Sequence, residues 1–155
     1  MLAGMQTFSK RVRDEDQAGA EAAGLRWLAE ATDAVVTVVR ADGKEIVTKR
    51  IDEVAPTPEA ARKFGAELAR VHRAGAQAFG SAPEGWEGKN FIGTIEQECT
   101  PTDNWGEFYT QQRVLPFAEP AGISTAQRDL VKRACDAIAA RSWDVAPARI
   151  HGDLW

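Results

Sequence analysis

The sequence predicts an α+β fold in which a small antiparallel sheet with one helix is followed by a mostly helical part. The sheet is indicated by the β-branched run Val35–Val39, by the turn-forming pair Asp42-Gly43 and by a second strand over Glu45–Ile51. The helical part is indicated by apolar residues at helical spacing and by clear helix start signals after residue 56.

The first part of the chain contains two further elements. The weakly alternating segment Thr7–Val12 predicts a strand, and a segment of helical period predicts a helix over Gln17–Ala31. The connector Asp52–Pro58 then separates two predicted lobes. These are a small N-terminal lobe, residues 1–55, and a helical lobe, residues 56–155.

Three helices are predicted in the second part. They run from Pro58 to about Gly75, from Trp105 to about Val114, and from Ser124 to Arg141. Each begins with a capping signal, which is Thr57 for the first, Asp103 or Asn104 for the second, and the box formed by Ser124 and Gln127 for the third. Residues 76–101 are rich in glycine and are predicted to form a long loop, and such loops are usually functional.

The bulk composition is that of a soluble globular protein, with 155 residues of which 44% are hydrophobic and 27% charged. The net charge of -4 argues against a nucleic-acid partner, which favours a basic face. No apolar run approaches the roughly 20 residues that cross a bilayer, and Met1–Arg13 lacks the apolar core of a signal peptide. We therefore predict a cytoplasmic location without a membrane partner. Cys99 and Cys135 belong to no metal or redox motif and are predicted to be reduced thiols.

The most specific chemistry lies in His151-Gly152-Asp153-Leu154-Trp155, which follows a short apolar lead-in. Phosphoryl transfer requires a carboxylate that orients the attacking hydroxyl and accepts its proton. Asp153 is therefore predicted to be a catalytic base. The alternative is that Asp153 caps its own turn while His151 packs locally.

This segment resembles the catalytic loop of the fructosamine (ketosamine) kinases, which are relatives of the aminoglycoside and choline phosphotransferases. Further segments resemble the same family in the same order. They are Phe8-Ser9-Lys10, Glu21–Leu28, Phe64–His72, Asn90–Gly93, and Asp103–Tyr109 with Gln112-Arg113. The resemblance covers nearly the whole chain, and it implies a protein-kinase-like two-lobe fold.

The resemblance implies ATP-dependent transfer of a phosphoryl group to a sugar hydroxyl of a ketosamine, with Mg²⁺ as cofactor. It implies that Lys10 contacts the ATP phosphates, that Glu21 holds Lys10 in place and that Asp153 is the base. It also implies that a separate short connector, Lys49-Arg50-Ile51-Asp52, is the hinge whose backbone groups meet the adenine. Without the resemblance, Lys10 and Glu21 would be interpreted as surface charges.

The implied acceptor is a small molecule, either a glycated amine or a protein-bound ketosamine. The loop Gly85–Gly93 and the helix that starts at Trp105 are expected to line the acceptor side of the cleft, although their aromatic residues can equally belong to the core. His72 lies on the apolar side of its helix and is expected to be a core residue rather than a catalytic one.

Two features depart from the family. No glycine-rich phosphate loop precedes Lys10, and the magnesium-binding Asn and Asp that kinases place after the catalytic Asp are absent, so no metal ligand is assigned. We therefore expect a truncated helical lobe, little or no activity from the 155-residue form, and self-association through exposed apolar surface. Two alternatives stay open, a non-catalytic kinase-like binding module and an aminoglycoside- or choline-type phosphotransferase.

Overall fold

The computed structural model describes residues 5–154, and Met1–Gly4 and Trp155 lie outside that range. The backbone divides into two compact units. Unit 1 comprises the described residues up to Gly75, Pro83–Glu96, and the residues from Ala148 onward, and unit 2 comprises Ala76–Ala82 and Gln97–Pro147. The predicted α+β class is confirmed, because unit 1 contains a small antiparallel sheet with helices and unit 2 is mainly helical. The predicted lobes, residues 1–55 and 56–155, stay a prediction.

The sheet of unit 1 has three strands, β1 (Thr7–Arg11), β2 (Val38–Asp42) and β3 (Glu45–Lys49), in the order β1-β3-β2. Both pairs are antiparallel, and β2 and β3 form the predicted hairpin. The prediction that its first strand starts at Val35 was wrong by three residues. Val35 and Val36 line cavities and do not pair with a neighbouring strand. β-branched residues next to a strand can thus pack against other elements without belonging to the sheet.

Helix α1 (Glu15–Ala29) packs on this sheet and begins two residues before the predicted start. Asp14 caps it and forms a reciprocal capping box with Gln17. Ala18 and Ala22 are buried against Ile46 of β3, and together they form the core of unit 1. Alanine has a short side chain, so the helix can approach the central strand closely.

Helix α2 (Pro58–Arg73) starts as predicted, with Thr57 accepting a hydrogen bond from the Ala60 N–H and Pro58 in the first turn. Val71 is its one buried residue among those described. The expectation that His72 belongs to the core is wrong, because His72 is exposed. His72 follows Val71 directly, and neighbouring residues of a helix point to different sides.

The predicted long loop contains a short ribbon that the sequence analysis missed, formed by β4 (Asn90–Ile92) and β5 (Ile95–Gln97). Strands of three residues carry too little alternation to be recognised. Both the residue before the ribbon and the turn within it contact α1. The Lys89 N–H donates to Asp16 at 3.3 Å, and the Gln17 side chain donates to Gly93 O at 2.8 Å.

Unit 2 contains α3 (Trp105–Phe108), a π-helical segment (Tyr109–Val114), α4 (Leu115–Ala118) and α5 (Thr125–Ala139). The predicted caps are confirmed, with Asn104 at α3 and the capping box of Ser124 and Gln127 at α5. The π-helical segment was not predicted. Gln112 is buried in it and forms two hydrogen bonds with the Thr100 backbone, at 3.0 and 2.6 Å.

Both cysteines are free, as predicted. Cys135 is buried and Cys99 is half-buried, and burial raises the pKa of each thiol. In the described part of the chain, no helix combines the length and apolar character that crossing a bilayer requires.

The contact between α1 and Trp86 provides a test of this packing. A Cβ at Gly19 would lie 2.3 Å from the Trp86 ring, which is held by a hydrogen bond from its N–H to Lys89 O at 3.2 Å. Gly19→Ala should therefore lower the free energy of unfolding by about 1–3 kcal/mol through overpacking, although alanine favours helix. Urea unfolding measures the change.

Gly24 is the matched control, because it lies in the same helix and a Cβ there has no atom within 4 Å. Gly24→Ala should raise the free energy of unfolding by about 0.5–1 kcal/mol through helix propensity alone. Equal stabilisation by both substitutions would contradict the packing of Trp86 on α1.

Candidate functional site

Lys10 and Glu21 form an ion pair, with 2.8 Å between Nζ and Oε2. Lys10 lies opposite Ile46 in the strand ladder, and directly opposed residues point to the same face of a sheet. Because Ile46 is buried against α1, the Lys10 side chain also lies on the α1 face. Glu21 directly precedes the buried Ala22 in α1, and its carboxylate meets the Lys10 ammonium on this face. The structure thus brings together the two residues that the sequence analysis paired.

This ion pair contributes little to folding. The two side chains are 52% and 36% exposed, and exposed pairs stabilise a protein by about 0–1 kcal/mol. Its main effect is geometric, since the carboxylate restricts where the flexible ammonium group of Lys10 can go. An ammonium that is held but solvent-accessible can still donate to an anionic ligand.

An open cavity of about 570 Å³ lies at the end of the sheet where Thr7 pairs with Lys49, and Lys10 lies further along the same strand. Its lining residues are Thr7, Phe8, Val36, Thr48, Lys49, Arg50 and Ile51. Phe8 is two residues before Lys10 on β1, so both side chains lie on one face of the sheet, about 7 Å apart along the strand. The cavity therefore includes the two connector residues, Lys49 and Ile51, that the sequence analysis assigned to nucleotide binding.

Some backbone groups of this connector are already used. The Lys49 N–H donates to Thr37 O at 2.8 Å, and the Arg50 N–H donates to Gln6 O at 2.9 Å. A ligand in the cavity has to meet other groups, such as the backbone of Ile51.

The segment His151–Leu154 is exposed and lies in unit 1. Gly152 has φ +82°, a conformation that strongly favours glycine, and the Asp153 N–H donates to His151 Nδ1 at 3.3 Å. Among residues 5–154, no donor forms a hydrogen bond with the Asp153 carboxylate. His151 makes the local contact that the alternative interpretation of this loop anticipated, while the carboxylate faces solvent.

A second cavity, of about 180 Å³, lies beneath this segment and is lined mainly by apolar residues of α1 and α2 together with Val35, Val36, His151 and Leu154. Thr32 is buried at its wall and donates to Glu67 at 2.7 Å. This hydrogen bond, followed by the charge of Arg70, lowers the pKa of the Glu67 carboxyl. The bond links the chain after α1 to the middle of α2.

Glu45 and Lys89 each form an ion pair with a nearby residue of opposite charge. The Ser9 hydroxyl donates to Glu45 at 2.6 Å, and this bond and the Arg40 guanidinium lower the pKa of the Glu45 carboxyl. The hydrogen bond from Lys89 to Glu96, at 2.8 Å, raises the pKa of the Lys89 ammonium. Both groups are exposed surface pairs, and neither lines either of the two cavities.

The segments assigned to the acceptor side pack within their own units. Trp86 lies against Gly19 and Gly88 in unit 1. In unit 2, Trp105 stacks on Tyr109 with ring centroids 5.0 Å apart and meets the edge of Trp143 at 4.5 Å. These contacts agree with the alternative interpretation, that the aromatic residues serve the core.

Arg149 was not predicted to belong to the site. Its side chain is 15% exposed and contacts the ends of α1 and α2. The available signal was a single charge inside the otherwise apolar lead-in Pro147–Ile150. A charge next to a catalytic motif in such a segment needs partners, because a buried charge without them is costly.

Comparison with known proteins identifies the family. The model of the family described as fructosamine kinase matches residues 8–155. This chain belongs to the fructosamine kinase family. Two proteins named "Probable ketoamine kinase" are similar to it. The one from Synechocystis sp. is 34% identical over 97 residues, and the one from Vibrio cholerae is 29% identical over 114 residues.

Solved structures give the same fold. A candidate fructosamine-3-kinase from Thermobifida fusca matches 98% of this chain with a TM-score of 0.83 and 36% identity. A second candidate fructosamine-3-kinase, from Haemophilus somnus, matches 92% of the chain with a TM-score of 0.63. At 18% identity, the second match supports the fold alone.

The chain is much shorter than these relatives. The Synechocystis match covers 60% of this chain but 31% of the relative, and the Vibrio match covers 71% of this chain but 36% of the relative. The two structural matches cover 55% and 49% of the solved chains. The chain therefore spans about a third to a half of the length of the family members that it matches.

The hydrogen bond between Thr32 and Glu67 predicts a specific pH dependence. A carboxyl whose pKa is lowered on folding contributes stability above its ordinary pKa, and this stability is lost as the pH falls through the lowered value. Thr32→Val should therefore raise the pKa of Glu67 and reduce stability at pH 7 more than at pH 3. Carboxyl ¹³C titration and urea unfolding at the two pH values measure both effects. The control is Thr37→Val at an exposed position, and an unchanged Glu67 pKa in Thr32→Val would contradict the assignment.

Proposed function

We propose that this chain carries the nucleotide-binding and base residues of an ATP-dependent kinase that phosphorylates a sugar hydroxyl of a ketosamine. The observation that carries the proposal is the 2.8 Å pair between Lys10 and Glu21 on the strand that borders the 570 Å³ cavity. A positioned ammonium on the same strand as a cavity of this size suits an extended nucleotide, because ligand cavities usually measure about 300–1,000 Å³. Membership of the fructosamine kinase family supports the same chemistry.

The proposed binding mode places the adenine in the cavity and the phosphates towards Lys10. Phe8 and Ile51 offer apolar surface to the base, and the backbone of the connector from Lys49 to Ile51 offers polar groups to its edge. Because Lys10 lies further along β1 on the same face as Phe8, an extended nucleotide can reach both. Glu21 holds the ammonium in place for the phosphate oxygens.

In the proposed reaction, the acceptor hydroxyl oxygen forms a bond to the γ-phosphorus of ATP. The bond between that phosphorus and the bridging oxygen to the β-phosphate breaks, and ADP leaves with the electron pair. The hydroxyl proton passes to the Asp153 carboxylate, which is exposed and which no donor within residues 5–154 occupies. Lys10 offsets negative charge on the phosphoryl oxygens as the transition state forms.

Phosphoryl transfer by kinases usually involves Mg²⁺. Among the described residues, no group of three or more His, Cys, Asp or Glu side chains is arranged to hold a metal ion. Mg²⁺ stays the proposed cofactor, because it is usually held by one or two carboxylates together with waters and substrate phosphates, and no step is assigned to the ion.

The remaining parts of the proposal concern partners and location. The proposed acceptor is a small glycated amine or a protein-bound ketosamine, and the proposed location is the cytoplasm. Self-association through apolar surface is also proposed, since Ile51, Val54 and Ile150 are 71%, 80% and 65% exposed.

The role of Lys10 can be tested by nucleotide binding. Lys10→Met should raise the Kd for ATP about 10- to 100-fold, because a charge-assisted hydrogen bond contributes about 1.5–3 kcal/mol. Glu21→Gln should raise it less, because the ammonium stays but loses its restraint. Calorimetric titration at fixed ionic strength measures Kd. The control is Lys44→Met, an exposed lysine in the β2–β3 turn, and similar losses in Lys44→Met and Lys10→Met would refute a specific contact.

The role of Asp153 can be tested by transfer in the full-length gene product. Asp153→Asn should lower kcat about 10²- to 10⁴-fold and leave ATP affinity nearly unchanged, because the amide cannot accept the proton. ADP release with a glycated amine measures kcat. Asp144→Asn is the control at another exposed aspartate. Indifference to Asp153→Asn, together with nucleotide binding, would favour a non-catalytic binding module.

A further inference from the structure

Arg149 lies two residues before His151 and bonds to two helices of unit 1. Its Nη1 donates to Trp27 O at 2.6 Å and lies 2.7 Å from a carboxylate oxygen of Glu30. Its Nε donates to Gly75 O at 3.0 Å, and the guanidinium lies over the Trp27 ring at 4.6 Å. The side chain is 15% exposed, so these partners replace most of its contact with water.

The partners lie at the ends of two helices. Trp27 is in the last turn of α1, and Gly75 follows α2 by two residues. The last carbonyls of a helix lack partners within the helix and carry the negative end of its dipole. A planar guanidinium can donate to several such acceptors at fixed angles, whereas the ammonium of lysine is a single point charge. Arg149 therefore joins the carboxyl-terminal ends of α1 and α2.

This junction has a consequence for the proposed site. Arg149 precedes His151 by two residues and Asp153 by four, and α1 carries Glu21, which holds Lys10. We propose that Arg149 is a positioning residue for phosphoryl transfer, which fixes the loop of the proposed base to the helix that positions the phosphate-binding lysine. The proposal rests on the function proposed above.

A residue with a purely structural role would behave differently. Its replacement would reduce the folded fraction but leave turnover by the folded molecules unchanged. A positioning role predicts that kcat falls in protein that is still folded, because a misplacement of about 1 Å can reduce the rate about 10²-fold. The KM for ATP should change little, because Arg149 does not line the cavity at Phe8 and Ile51.

The first experiment measures amide hydrogen exchange in this chain. In Arg149→Met, which keeps an unbranched apolar stem over Trp27, the amide of Asp153, which donates to His151 Nδ1, and the amides of residues 26–31 should exchange about tenfold faster or more. Arg149→Lys should give an intermediate effect. This more conservative variant keeps the test usable if Arg149→Met does not fold. The matched control is Arg141→Met, which also removes a guanidinium from an indole ring, 4.7 Å from Trp143 in unit 2. It should change neither segment.

The second experiment measures steady-state kinetics in the full-length gene product. Arg149→Met should lower kcat about 10- to 100-fold and change the KM for ATP by less than about threefold, with partial recovery in Arg149→Lys. Unchanged exchange, or a retained kcat in folded protein, would overturn the positioning role. Absence of transfer by the wild-type gene product would overturn the proposed function and this role with it. If the wild-type protein shows no transfer but exchange is faster in the variants, Arg149 still anchors the loop. The two experiments therefore distinguish failure of the proposed function from failure of the anchoring contact.

Discussion

The close packing of α1 on the central strand β3 is the constraint on which the rest of unit 1 depends. Ala18 and Ala22 let the helix approach Ile46, and this approach places Glu21 within hydrogen-bond distance of Lys10. Larger residues at the two alanine positions would lift the helix and separate the charges. The distance between two exposed side chains is thus determined by two buried ones.

Stability and the proposed chemistry belong to different groups of unit 1. Apolar burial and contacts at the helix ends hold the frame, whereas Lys10, Glu21 and Asp153 are solvent-accessible and contribute little to folding. Such a division is expected where a ligand has to meet charged groups, since a fully buried charge would need permanent partners. It also means that substitutions of the charged residues can change binding without changing the fold.

The sequence predicted the elements whose signals are local. The caps Thr57 and Ser124 and the β2–β3 hairpin depend on residues close together in the chain, and all were found. The pairing of Lys10 with Glu21 was accessible only through the family resemblance. The exposure of His72 and the hydrogen bonds of Arg149 depend on which surfaces meet in three dimensions. The spacing of apolar residues in a single sequence does not show which surfaces these are.

Two further differences between the predicted and the observed elements concern Val35-Val36 and the β4–β5 ribbon. Val35 and Val36 have the composition of a strand, but packing against other elements competes with strand pairing and wins. The ribbon of β4 and β5 was missed because its strands are three residues long. At Val35 and Val36, a tertiary contact thus decides between conformations that the local sequence leaves nearly equal.

The π-helical segment Tyr109–Val114 constrains how the length of unit 2 can vary. Its backbone bonds span one more residue than those of an α-helix, so the segment accommodates an extra residue within one turn. Deleting that residue would restore α-helical bonding and leave Leu115–Ala118 facing nearly the same way, because the wide turn had absorbed the extra residue. The two bonds between Gln112 and Thr100 hold the wide turn to the preceding chain. The wide turn therefore lets this stretch carry one residue more than an α-helix without changing the direction in which the side chains of α4 point.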